Sequence, residues 1–302
     1  MSIASSVRPR PSQALAGRPR GGERSPRAIL FLLLLWACLL FALVFLVVLI
    51  VQTFLNGLPR LDSRLFTEYS ASTPRRAGAR AAILGSLWVI ATTAVLTIPL
   101  GVAAAVHLEE FADKKNRFNH LIELNVQNLA AIPSIVYGLL ALAFLSLLGV
   151  QNKNLVIAGA FALSLLILPV IIIATRESLR AVPMEIRQGS LALGATPLQT
   201  VWRQTLPAAV PGIATGTILA LSRALGEAAP LLLLGALVFV SYDPNGLLSG
   251  YTTMPIQIFN WTSRPQVEFH VLASAASILL LAFLLAMNGL AIYIRDHFQQ
   301  RW

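Results

Sequence analysis

Long runs without a charged residue dominate this chain, and they restrict it to folds that live in lipid. Crossing the roughly 30 Å hydrocarbon core of a bilayer takes about 20 mostly apolar residues in a helix. Residues 28–51, 81–108, 124–152, 154–175 and 271–294 contain no Asp, Glu, Lys or Arg, and residues 208–240 are interrupted only by Arg223 and Glu227. Only 12 % of the chain is charged while 56 % is hydrophobic, against roughly a quarter charged in average proteins. The prediction is an all-α polytopic membrane protein with six transmembrane helices. Residues 208–240 as one straight helix would be about 50 Å long, so that region must tilt, bend or break, and Pro230 is the expected place. Within the third span, Ile132-Pro133-Ser134 reads as a kink whose freed carbonyl Ser134 helps to satisfy, with lining of a translocation path as the alternative. Tyr137 and Gly138 suit close helix contact.

Several function classes are excluded. Cys38 is the only cysteine, so there is no disulfide framework, and His107, His120, His270 and His297 are too scattered for a metal site. The three lysines, Lys114, Lys115 and Lys153, follow Asp, Lys and Asn. A phosphate-cradling G-x4-G-K-[ST] loop is therefore absent, as are the G-x-S-x-G and H-E-x-x-H patterns. The chain reads as a non-enzyme that cannot power transport by itself. Glu109 and Glu110 read as a solvated face at a membrane exit.

Residues 1–27 carry six arginines among Pro, Ser and Gly. They read as a disordered, lipid-attracted cytoplasmic tail rather than a nucleic-acid arm, leaving 28–302 as the membrane domain. The first apolar run exceeds the usual 7 to 15 residues of a secretory signal and is expected to stay as a helix. Lys and Arg concentrate in residues 1–27, 109–120, 176–207 and 295–302, against Arg60, Arg64, Arg75, Arg76, Arg80, Lys153 and Arg264 on the alternate side. By the positive-inside tendency both termini are cytoplasmic. The arginines of residues 52–80 oppose that bias and read either as a solvated face or as an attraction for an anion or acidic partner. Residues 241–270 are long enough to touch a partner, and Trp261 reads as an interfacial anchor.

Residues 176–207 form the most informative soluble stretch. Pro183 suits the start of a helix with Glu185 in its first turn, and Gly194 stops it. Thr196 then caps a second helix that starts at Pro197 and ends before Pro207, with Leu198, Val201 and Trp202 on one face. The expectation is a compact helix-turn-helix, packed on its own bundle or fitted into a groove of a cytoplasmic protein. Gln188-Gly189-Ser190, three residues, Gly194, nine residues, then Gln204-Thr205-Leu206-Pro207 resembles the E-A-A-x3-G-x9-I-x-L-P loop of ABC importer permeases. Gln188, Gly189, Ser190 and Gln204 depart from that pattern, whereas Gly194, Leu206 and Pro207 match it.

Further motifs narrow the resemblance. Ser72-Thr73-Pro74-Arg75-Arg76-Ala77-Gly78, Ile132-Pro133-Ser134-Ile135-Val136-Tyr137-Gly138, Leu193-Gly194-Ala195-Thr196, Ser222-Arg223-Ala224-Leu225-Gly226-Glu227-Ala228-Ala229-Pro230 and Met254-Pro255-Ile256-Gln257-Ile258-Phe259-Asn260-Trp261 follow in this order. Across roughly residues 70–295 the chain resembles the PstA-type permease subunits of bacterial phosphate ABC importers. The resemblance implies a type I importer fold in the bacterial inner membrane. It also implies a homologous PstC-type second permease, two PstB-type ATPase subunits that bind the ATP and magnesium, and a periplasmic PstS-type phosphate-binding protein. The coupling contact with the ATPases would fall at Leu193, Gly194, Ala195 and their neighbours Gln188, Thr196, Leu206 and Pro207.

Arg223 and Glu227 are the sharpest physical clue, because either charge alone costs several kcal/mol in lipid. Four residues apart, they share a helical face and can pair. They form either an internal ion pair or, with Ser134, part of a translocation path in which Arg223 meets an oxyanion and Glu227 weakens its hold. Alternatives to a phosphate importer are a permease for sulfate or molybdate, an ATP-independent anion channel or carrier, and a membrane scaffold.

Overall fold

The computed structural model describes residues 26–113, 115–236 and 239–298. The predicted basic tail lies outside them, apart from Pro26 and Arg27, which already belong to helix α1 (Pro26–Gly57). Residues up to Val51 and residues from Gln52 onward form separate units. In the first, α1 is an unbroken apolar helix whose side chains at 29–51 are all exposed. Such a face has no aqueous solution and suits lipid.

The second unit is also helical. After a short α2 (Ser63–Thr67), its framework is α3 (Arg80–Val106), α4 (Arg117–Ala130), α5 (Ser134–Leu147) and α6 (Val156–Arg180). Then come α7 (Met184–Ala192), α8 (Pro197–Thr200), α9 (Leu206–Leu225), α10 (Ala229–Leu233), α11 (Met254–Thr262) and α12 (Val267–Phe298). α6 is the central pillar: 61 % of its most apolar window is buried, against 28 % for α3 and α12. It packs on α3, α4, α5 and α9, and α9 in turn packs on α12. Ala158, Gly159, Ala160 and Ala162 keep α6 narrow: Ala160 brings its carbonyl within 3.4 Å of Thr93 Oγ1 of α3, Gly159 makes room for Tyr251, and Ala162 packs with Ala141 and Leu234. Thr93 and Thr97 of α3 are buried there, and each hydroxyl donates to a carbonyl of its own helix, at 2.8 and 2.7 Å, so neither enters the core unsatisfied.

Two expectations about spans need correction. Residues 124–152 do not form one helix: α4 and α5 meet at a bend of 111°. The uncharged Asn125, Gln127 and Asn128 add to the polarity of α4, which also carries Arg117 and Glu123, and Pro133 disfavours helical backbone at the residue before it. Among the described residues, five helices are long and apolar enough to cross a membrane, or six if the bent pair is one broken span. The proline is thus a break rather than a kink. In residues 208–240 the break falls at residues 226–228, where Gly226 caps α9, and Pro230 lies in the first turn of α10. A proline is tolerated there because a first-turn N–H has no helical partner to lose.

At the end of the bundle where α3, α6 and α12 begin, residues 58–80 fold into a small cap. Arg60 donates to the carbonyls of Pro74 and Ala77 at 3.2 and 3.1 Å, and Arg80 grips Asp243 through two bonds at 3.0 and 2.6 Å. Those two arginines are therefore structural, while Arg64, Arg75 and Arg76 are exposed. The segment after α10 does not simply project outward. Tyr251, Thr252, Thr253, Met254, Ile256 and Gln257 are buried, and the Gln257 amide donates to Ser70 Oγ at 3.3 Å. Trp261 is fully buried beside Phe269 and Leu272, so it is a core residue and not the interfacial anchor its type suggested.

Gly138 of α5 faces the backbone of Pro230: a Cβ there would stand 2.7 Å from the proline Cα. Replacing Gly138 by Ala should push α5 off α10 and destabilise the chain by about 1–3 kcal/mol, read as a lower melting temperature in detergent. The hydrogen bonds from Arg80 hold the Asp243 carboxyl below its ordinary range. That contribution is complete above the unfolded carboxylate pKa of about 4 and disappears as pH falls through the lower folded value. Asp243→Asn should remove this part of the acid sensitivity, visible when melting temperatures at pH 6 and pH 3 are compared for the two proteins.

Candidate functional site

The helix-turn-helix expected after α6 is present, with sharp local causes. Pro183 precedes α7, Glu185 sits in its first turn, and Gly194 adopts φ +86°. The Gly194 and Ala195 amides donate to Leu191 and Ser190 at 3.0 and 3.2 Å. This is the double bond that ends a helix on a left-handed glycine. Thr196 and Gln199 then form a reciprocal capping box with Pro197 in the first turn, which satisfies two orphan donors at once.

The second helix does not stop before Pro207. A π-helical turn, Val201–Thr205, carries α8 directly into α9, so residues 197–225 form one continuous helix. The Leu206 amide bonds Val201 in this wide turn, a local rearrangement that accommodates the missing N–H of Pro207 next to it. The predicted apolar face is also different. Val201 is buried with Thr200 and Thr205, whereas Leu198 and Trp202 are exposed.

Gln188, Leu193, Gly194 and Thr196 lie exposed at the tip and Ala195 is half-buried. Leu193, at 91 % exposure, is joined by Met184, Leu191, Leu198 and Trp202 as a set of uncovered apolar side chains. A cleft of about 410 Å³ between the two helices is lined by Glu185, Gly189, Leu193, Gln199, Arg203 and others. Leu206 does not belong to this tip: it packs with Leu179, Val182, Ala209 and Ile213, and exposed Pro207 follows it in α9.

Glu109 and Glu110 are not a solvated face. They lie in a second π-helical turn, His107–Phe111, at the end of α3, and their side chains are only 5 % and 10 % exposed. Glu109 accepts from Arg176 at 3.2 Å and Arg180 at 2.9 Å, and Glu123 of α4 accepts from the same two arginines at 2.8 and 3.4 Å. Glu110 pairs with Arg187 of α7 at 2.8 Å. These residues were missed because each charge run was weighed alone. The readable signal was complementarity, acidic residues after α3 facing basic residues after α6.

Arg223 and Glu227 do come near each other, but loosely and across a helix end. Arg223 is in the last turn of α9 and Glu227 lies beyond its Gly226 cap. Nε and Oε1 are 3.9 Å apart, with the side chains 48 % and 21 % exposed. That separation is an ion pair without a hydrogen bond, so much of the guanidinium fork stays available. A cation is also favoured at the carboxyl end of a helix. Ser134 opens α5, and one turn later Tyr137 donates its hydroxyl to the Leu129 carbonyl at 2.5 Å within electrostatic reach of Arg223. The start of α5 and the α9–α10 break therefore lie side by side.

The family described as "Binding-protein-dependent transport system inner membrane component" matches residues 97–302. The chain belongs to this family. Among its relatives, the phosphate transport system permease protein PstA of Yersinia pestis is 32 % identical over 276 residues, covering 91 % of this chain and 92 % of the relative. The probable ABC transporter permease protein YqgI of Bacillus subtilis is 31 % identical over 247 residues, covering 78 % and 83 %. A solved alginate ABC transporter superposes with TM-score 0.61 at 16 % identity over 92 % of this chain and 99 % of the other. The MetNI methionine ABC transporter gives 0.55 at 18 % over 73 % and 97 %. These structures establish the fold, that of ABC importer membrane subunits.

The tip thus presents an uncovered apolar surface. Its shape depends on the capping box. Thr196→Ala should cost about 1 kcal/mol locally, seen as faster hydrogen exchange at the Gln199 amide with little change in the rest of the bundle.

Proposed function

We propose that this chain is a permease subunit of an ATP-driven phosphate importer and forms half of its translocation pathway. What carries the reading is 30 % and 32 % identity to PstA phosphate permeases over 84 % and 92 % of their length. The chain itself has no nucleotide-cradling loop, so ATP and magnesium are bound by partner ATPase subunits. The complex comprises a homologous PstC-type permease, two PstB-type ATPases and a PstS-type periplasmic phosphate-binding protein, with both termini of this chain in the cytoplasm.

Leu193, Gly194, Ala195 and Thr196, with Gln188 beside them, dock on the ATPases. Leu206 and Pro207 join that tip to α9. Arg223 supplies the phosphate contact, since a guanidinium presents a planar fork that fits oxyanion oxygens and stays charged at any physiological pH. At 3.9 Å from Glu227 the competing attraction is roughly 1–4 kcal/mol between bulk water and a partly buried setting. That is small enough for a phosphate to displace and large enough to help it leave. Ser134, at the neighbouring helix start, adds a hydroxyl to the same path.

In the four-component complex in liposomes, phosphate on its binding protein should stimulate ATP hydrolysis, and Arg223→Gln should lower phosphate uptake by about tenfold or more with assembly intact. Stimulation by sulfate or molybdate instead of phosphate would overturn the substrate assignment. Undiminished uptake by the Arg223 variant would remove that residue from the path.

A further inference from the structure

The first coupling helix, α7, keeps company chiefly with α8 and the turn that follows it. Its ties to α3 and α6 are side chains: Ile186, against a cluster that includes Val102, Val106 and Leu179, and Arg187. All three nitrogens of the Arg187 guanidinium donate. Nη1 donates to the carbonyl of Val182, just past α6, at 2.7 Å, and Nη2 to the carbonyl of Leu179 in its last turn at 2.7 Å, which also accepts the Val182 amide at 3.2 Å. Nε and Nη2 also donate to the two oxygens of Glu110 at 3.3 and 2.8 Å. One side chain on α7 thus closes the end of α6 and grips the end of α3.

Glu110 and Glu109 are consecutive in the wide turn, yet Glu110 holds α7 while Glu109 holds Arg176 and Arg180 of α6. Three elements meet there through charge-assisted bonds, the strong and directional kind. Their partial burial shields them from salt.

We infer that Glu110 is a positioning residue of the power transmission: through Arg187 it locks the first coupling helix to α3 and α6. Movement imposed on the tip then displaces the two most extensively packed helices instead of swinging the loop alone. This rests on the coupling role proposed above for residues 183–207.

The test uses the full complex in liposomes and reads phosphate accumulated per ATP hydrolysed. Glu110→Gln keeps the size of the side chain and leaves the bonds from Arg187 to the Val182 and Leu179 carbonyls in place. It should assemble and hydrolyse ATP while the ratio falls about fivefold or more. Arg187→Lys, which keeps charge but loses the fork, should fall in between. The double variant Glu110→Gln/Arg187→Lys should be no worse than Glu110→Gln alone, since both weaken the Glu110–Arg187 link. An unchanged ratio, or uptake and hydrolysis falling in proportion, overturns the inference. If Glu110→Gln fails to assemble, Arg187→Lys decides, and an unchanged ratio there overturns it too. A native complex with no phosphate-stimulated hydrolysis overturns the coupling role itself, before any substitution is made.

Discussion

Buried pairing between carboxylates after α3 and arginines of α6 and α7 sets the geometry at one end of the bundle. Taking these charges out of water is costly, and the cost is recovered only with near-complete hydrogen bonding. Arg176 and Glu109 are 7 % and 5 % exposed and directly paired, and the neighbouring groups complete the network. Its contribution is register more than stability: four elements can satisfy these charges together in few arrangements. Removing one partner would strand another in a poorly solvated place, so the parts hold one another in position.

The pair at the α9–α10 break follows the opposite design. Arg223 is separated from its partner by 3.9 Å and stays half exposed, where the pairs at the other end have contacts of 2.8 Å. A closed network suits a joint that must stay put. The open pair leaves the Arg223 guanidinium accessible. The same residue types therefore serve unlike ends of one molecule, and the difference lies in distance and access.

Much of the fold was legible because lipid imposes long apolar runs, and glycine, proline and threonine marked the turn between α7 and α8. The failures have physical causes. Counting charges overlooked the amides of Asn125, Gln127 and Asn128, which turn a presumed span into a bent pair. Trp261 was placed by the habit of its residue type, yet burial with Phe269 was decided by tertiary packing that no local pattern encodes. Periodicity put Leu198, Val201 and Trp202 on one face, but only Val201 is covered by the bundle, and the other two stand uncovered at the tip. Within the candidate site, the tip and the Arg223–Glu227 neighbourhood were readable, but Glu110 and Arg187 were not, since they are 77 positions apart.

The absence of a stop at Pro207 has a mechanical corollary. The helix from Pro197 to Leu225 has 29 residues, about 43 Å at 1.5 Å per residue, so tilting it by about 10° about its tip sweeps the opposite end through about 7 Å. Arg223 rides near that opposite end, at the arm's far reach. Such a tilt of the helix as a rod moves Arg223 by more than its gap to Glu227, and the π turn at Val201–Thr205 and Pro211 within α9 are the points where the rod can bend.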